Sequence, residues 1–137
     1  MCVPNCGAFG WESDLVRVSS AMYASEYEIK VTREDFRRDA KKTARVEALV
    51  MADGTLRAQG LTPSQFWYAA PVGVIPHDEL PEYAGLVELP GRKAVIVVKP
   101  APRLHKVKLT PERVLFLTRG VALRYWDQRA AMERGSR

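Results

Sequence analysis

Apolar and polar positions largely alternate in two early stretches of the chain. Residues 14–19, DLVRVS, and 25–31, SEYEIKV, both carry this period of two, the mark of a strand with one buried face. SSAMYA, between them, reads as a hairpin connection. In the second strand Tyr27, Ile29 and Val31 fall on one face, and Glu26, Glu28 and Lys30 on the other. Residues 32–50, TREDFRRDAKKTARVEALV, predict a helix. Thr32 suits its N-cap, and Glu34 and Asp35 stand where the helix dipole favours negative charge. ADGT at 52–55 is a turn signal.

The second half is richer in strands. QFWYAAPVGVI (65–75) starts with strand-favouring aromatics, and Pro71 and Gly73 end it. PHDELPEY (76–83) reads as a loop with a short helical turn. GLVEL (85–89) and AVIVVK (94–99) read as strands joined by the turn PGR. Residues 111–131 predict a second helix, with Pro111 at its first position and Val114, Leu117, Val121 and Tyr125 at helical spacing. MERGSR (132–137) reads as a frayed tail. Val3 lies so close to the start that any first strand is short, or else something normally precedes it. The sum is an α/β domain over 1–131: a mixed β-sheet with one crossover helix and a C-terminal helix.

With 137 residues, 47% hydrophobic and 27% charged, the chain is sized and composed as one globular domain, which excludes a disordered chain, a collagen and a coiled-coil rod. No apolar run nears the roughly 20 residues that span a bilayer, and MCVPNCGAFGWESD lacks the layout of a signal peptide. The cell interior, the cytoplasm, is the expected location, with no membrane partner. Lys and Arg number 21 against 16 Asp and Glu, a formal net of +5, which favours polyanions, nucleic acid or less often an anionic membrane surface, although many basic domains bind neither. Cys2 and Cys6 are too few for a disulfide scaffold or a zinc site, and read as reduced thiols beside a buried N-terminal strand.

The chemistry concentrates in residues 12–36. Asp14 begins one strand, and Glu28 and Lys30 stand two apart on the next. Alternate strand residues lie about 6.6 Å apart on one face, so a cation between Asp14 and Glu28 could take an oxygen from each, with Lys30 beside it. Mg²⁺ prefers such oxygen ligands, needs only one or two carboxylates, and accepts a phosphate oxygen as well. It acidifies water and screens phosphate charge, while a neighbouring lysine orients the water, helps deprotonate it or steadies developing negative charge. Taken alone, a Glu-x-Lys on a strand is a solvated face with a weak surface pair. The acid on the preceding strand and the basic helix directly afterwards favour a site.

Three segments, Trp11-Glu12-Ser13-Asp14, Tyr27-Glu28-Ile29-Lys30 and Asp35-Phe36-Arg37-Arg38-Asp39-Ala40-Lys41-Lys42, together resemble the active-site region of the PD-(D/E)XK nuclease superfamily. The resemblance is greatest to its small phage-borne and bacterial DNA-repair members, and FWYAAPVGVIP (66–76), EYAGLVEL (82–89) and VKPAPRLHK (98–106) extend it over most of the chain. It implies a restriction-endonuclease-like fold and a metal-dependent DNA endonuclease using Mg²⁺ or Mn²⁺. Asp14 and Glu28 would bind the metal, Ile29 would offer its carbonyl, and Lys30 would be the catalytic lysine. Ser13 stands where the nominal motif has proline. Many members add a glutamate from an N-terminal helix. Here either Glu12 substitutes for it, a partner supplies it, or it is dispensable; Glu26 is a candidate auxiliary acid, although a solvent-facing role is the preferred reading of Glu26. A nuclease-fold DNA-binding or assembly module without hydrolysis is the alternative.

Arg33, Arg37, Lys41 and Arg45 repeat every four residues, with Arg38 and Lys42 alongside, and form a candidate phosphate-binding stripe. The plain alternative is a solvated helix face. Lys99, Arg103, His105, Lys106 and Lys108 make a weaker basic cluster. Phe66, Trp67 and Tyr68 read as core with one ring partly exposed, His77 as surface, and Tyr125 and Trp126 as packing on the last helix. That helix is either a core element or the face of a homodimer.

Overall fold

The computed structural model describes residues 1–39, 41, 43–50 and 62–135. It is a mixed α/β fold. Strands β1 (Cys2–Cys6), β2 (Ser13–Val18), β3 (Ala24–Ile29), β4 (Gln65–Pro71), β5 (Ala84–Gly91) and β6 (Ala94–Lys99) lie in one sheet in that order. The β3–β4 and β4–β5 pairs are parallel and the other three antiparallel. A parallel neighbour requires a crossover. Helices α1 (Arg33–Asp39) and α2 (Thr43–Val50) lie in the first crossover, and a 3-10 turn (His77–Glu79) lies in the second. Helix α3 (Pro111–Gly135) closes the chain.

The single helix expected over 32–50 is therefore two helices. Residues six apart on a continuous α-helix point about 120° away from each other. Asp39 and Arg45 nevertheless both turn inward, Asp39 onto Lys30 just past β3 and Arg45 onto Glu28 of β3 and onto Asp39 itself. Ending α1 at Asp39 and restarting at Thr43 allows this, and the Lys41 amide bonds back to the Arg38 carbonyl at 3.4 Å.

Pairing across the sheet aligns Val3, Val16, Glu26, Phe66 and Ala84 in one row, every one fully buried. Phe36, Leu49, Tyr68, Ile75 and Leu86 join Phe66 in a core packed under α1 and α2, where Tyr68 meets Phe36 and Phe66 edge to face at 5.0 and 5.2 Å. Val16, Val18 and Phe9 form a second core, closed by Leu109 and by Leu117 of α3. A different row, Leu15, Tyr27, Trp67 and Gly85, lies on the other face. Tyr27 and Trp67 stack there, 5.9 Å apart and 9° from parallel. Gly85 has to be glycine, because a Cβ would stand 2.5 Å from both the Trp67 ring and the Ala101 amide nitrogen.

The C-terminus also departs from expectation. Helix α3 continues through Met132 to Gly135, so most of the supposed tail is helical. Tyr125 and Trp126 are exposed, not packed. At about 1.5 Å per residue the 25-residue helix is about 37 Å long. It packs along the short edge strand β1, and past Arg124, which reaches the Asn5 carbonyl, little lies beneath it. Cys6 is buried and Cys2 exposed, both as free thiols.

Candidate functional site

Strands β2 and β3 pair Leu15 with Tyr27, and carrying that register one step further sets Asp14 against Glu28. Asp14 is half-buried, and its Oδ2 accepts the Ile29 amide at 2.8 Å. Among the described residues Oδ1 has no hydrogen-bond or ionic partner. The Lys30 amide bonds the Ala69 carbonyl at 2.9 Å, so the ladder with β4 runs through the whole Glu-Ile-Lys triplet. Glu28 and Lys30 share the inner face and are 3% and 5% exposed, while Ile29 points outward at 48%.

Four side chains then close a ring of alternating charge. Lys30 Nζ lies 3.1 Å from Glu28 Oε2 and 3.3 Å from Asp39 Oδ1. Arg45 places Nη1 2.7 Å from Glu28 Oε1 and pairs with Asp39 Oδ2 through Nη2. The Tyr68 hydroxyl donates to Asp39 at 3.3 Å, and the Arg45 guanidinium lies over the Phe66 ring. Burial is the dominant influence on each ring member whose shift is resolved. It pushes the Glu28 carboxyl up, against the pull of Arg45 and Lys30. It acts to lower Lys30 and Arg45, yet Asp39 and Glu28 outweigh it and hold both cations above their ordinary values. Lys30 is thus an ammonium at neutral pH. It can orient a water or stabilise negative charge.

Glu26 is corrected outright. It does not face solvent but is fully buried, accepting Trp11 Nε1 and Ser13 Oγ on Oε1, both at 2.7 Å. Its Oε2 is buried with no hydrogen-bond partner among the described residues. Desolvation pushes this carboxyl up to about 7, with the Ser13 and Trp11 bonds pulling the other way. Glu12 is exposed at the entrance to β2. Sequence reasoning missed Trp11 and Asp39 as parts of the site. Asp39 had a legible signal, lying three residues after Phe36 and therefore on the same buried helix face.

The basic stripe does not survive as one surface. Arg45 has left it for the interior. Arg33 and Arg37 both bind Glu79, with Arg37 Nη2 2.7 Å from Oε1. Those hydrogen bonds, from Arg37 first and then Arg33, hold the Glu79 carboxyl down at about 2. Arg38 and Lys41 are exposed, and Lys42 lies outside the described residues. The second basic cluster is also dispersed. Lys99 donates to the Pro81 carbonyl, Arg103 and Lys108 lie over the Tyr23 ring, and His105 meets the Thr62 carbonyl at 2.9 Å. His77 is on the surface, as expected. Phe66 and Tyr68 are buried and Trp67 partly exposed, also as expected.

Among the described residues, no group of three or more His, Cys, Asp or Glu side chains could hold a metal ion. Asp14 and Glu28 nonetheless fit a hard divalent cation in kind and number, since one or two carboxylates suffice for Mg²⁺. Both oxygens of Glu28 already hold cationic groups, and Asp14 Oδ1 is unengaged among the described residues.

No family model matches the chain, and no curated protein matches it. Among solved structures it is similar to a protein of unknown function from Silicibacter pomeroyi. That likeness has a TM-score of 0.62 at 22% identity, over 97% of this chain and 79% of the other. It shows a shared fold. No helix among the described residues is long and apolar enough to cross a membrane.

Proposed function

We propose that this chain is a metal-dependent DNA endonuclease of the PD-(D/E)XK type, hydrolysing phosphodiester bonds in repair, recombination or a phage cycle. The supporting observation is the Asp14 carboxylate seated 2.8 Å from the amide of Ile29, between Glu28 and Lys30, whose own side chains lie 3.1 Å apart. Asp14 and one oxygen of Glu28, with the Ile29 carbonyl, would hold Mg²⁺ or Mn²⁺. A bound divalent cation supplies charge neutralisation at the phosphate and acidifies water. The Lys30 ammonium is then placed to stabilise the negative charge that builds on the phosphate oxygens. Asp39 positions Lys30 and keeps it protonated. Arg38 and Lys41 would hold the DNA backbone without reading sequence.

The test is cleavage of plasmid and branched DNA by the full chain with Mg²⁺, beside Asp14→Ala and Lys30→Ala. Each substitution is expected to lower the rate by about 100-fold or more. Cutting that persists in both variants refutes this site. Manganese titration followed by electron paramagnetic resonance reads the ion separately, and Asp14→Ala is expected to weaken its binding.

One observation favours a second reading, a nuclease-fold module that binds DNA without cutting it. Both oxygens of Glu28 are engaged in the closed ring, so a metal must displace a cation to reach them. That module would bind DNA in a salt-dependent way, take up no manganese, and cut nothing.

A further inference from the structure

Helix α3 carries two apolar stripes, and the sheet uses one. Val114 and Leu117 face β1 and the core beside it. Leu115, Phe116, Leu123 and Trp126 lie within roughly 100° of arc on a different side of the helix and are 53–69% exposed. Beyond Arg124 the helix has left the sheet, and its last three turns are exposed almost all round. A free helix of that length is marginal in water. Something of matching shape is needed to cover it.

The geometry points to a second copy of this chain as the occupant, packed antiparallel along α3 about a twofold axis at Leu123. In that register Phe116 faces Ala130 of the second copy across the seam, and Trp126 lies on one flank of it, on the same side as the second copy's Arg119. Charges also fit: Glu112 meets Arg134 of the second copy, and Arg119 lies against its Trp126 ring, a cation–π arrangement. A parallel pairing in register would instead oppose Glu112 to Glu112, Arg119 to Arg119 and Arg134 to Arg134. The antiparallel arrangement is isologous, so each protruding C-terminal half is covered by the exposed stripe on the other copy's N-terminal half. The inference concerns α3 alone and is independent of the reading of the acidic site.

Sedimentation velocity on the full chain over a wide concentration range tests it. The wild type is expected to form a dimer. Leu123→Glu, which sets two carboxylates against each other at the twofold axis, is expected to weaken association by about 30-fold or more. Trp126→Ala is expected to weaken it in the same direction, and far-ultraviolet circular dichroism checks that both variants remain folded. Glu112→Arg alone is expected to weaken the dimer, and adding Arg134→Glu to restore it, which fixes the antiparallel sense. A wild type that stays monomeric overturns the proposal. So does a folded Leu123→Glu that dimerises like the wild type, or a double charge swap no better than the single one.

Discussion

Glu26 is the residue whose surroundings decide most about its behaviour. Its neighbours in the cross-sheet row are Val16 and Phe66, so water is excluded and the charged form is penalised. The carboxyl ordinarily titrates at 4.5 and here at about 7. Between those values the folded chain binds a proton that the unfolded chain has lost. The stabilisation this gives is full below 4.5 and falls away as pH rises through 7. The difference corresponds to about 3 kcal/mol. Glu28, also shifted upward, adds to the same trend. Urea denaturation at pH 5 and pH 8 should therefore show the wild type losing stability on the alkaline side. Glu26→Gln keeps the shape and the Trp11 and Ser13 contacts, and is expected to shrink that loss by about 2–3 kcal/mol. The alternation SEYEIKV assigned Glu26 correctly to the face shared with Glu28 and Lys30. It could not say that this face was the buried one, because a polar face is normally the wet one.

At the level of elements, local pattern was a good guide wherever one stripe or one period dominated. Strands β2 to β6, the 3-10 turn and the start of α3 fall close to where the pattern places them. Two elements deviate for tertiary reasons. The crossover splits because Asp39 and Arg45 are both drawn inward, to Lys30 and Glu28 and to each other. Helix α3 outruns its support because nothing in its own periodicity reports how far the sheet extends beneath it. Strand β5 offers a direct check. Its Gly85 admits the Trp67 ring on one side and the Ala101 backbone on the other. Gly85→Ala is expected to cost about 3 kcal/mol, at the top of the usual range for overpacking because one obstacle is backbone. A thermal melt should show it, together with loss of the near-ultraviolet signal of the Tyr27–Trp67 stack.

Across the whole molecule the formal charge of +5 is spread unevenly, and pairing decides how much of it a polyanion meets. Arg33 and Arg37 are neutralised in part by Glu79 from the β4–β5 crossover, and Arg45 by the interior ring. Glu79→Gln releases two arginines on the exposed side of α1 and leaves the core untouched. On the proposed DNA-binding function, it is expected to tighten that binding and to steepen the plot of log affinity against log salt by about 1–2. Fluorescence anisotropy over a salt series measures this. An unchanged slope would mean that α1 does not touch the phosphates.

The chain's own pattern determined the α/β class, the order of the strands along the sequence and the grouping of Glu26, Glu28 and Lys30 on one face. Strand periodicity and turn residues are local properties, readable without knowing what packs against them. Only the tertiary structure decided that this charged face lies inside, that Arg45 abandons the basic stripe to close a ring with Asp39, and that Tyr125 and Trp126 stand in solvent. Each of these depends on which element covers which. That is fixed by the sheet order and by desolvation, and neither is written in any one segment.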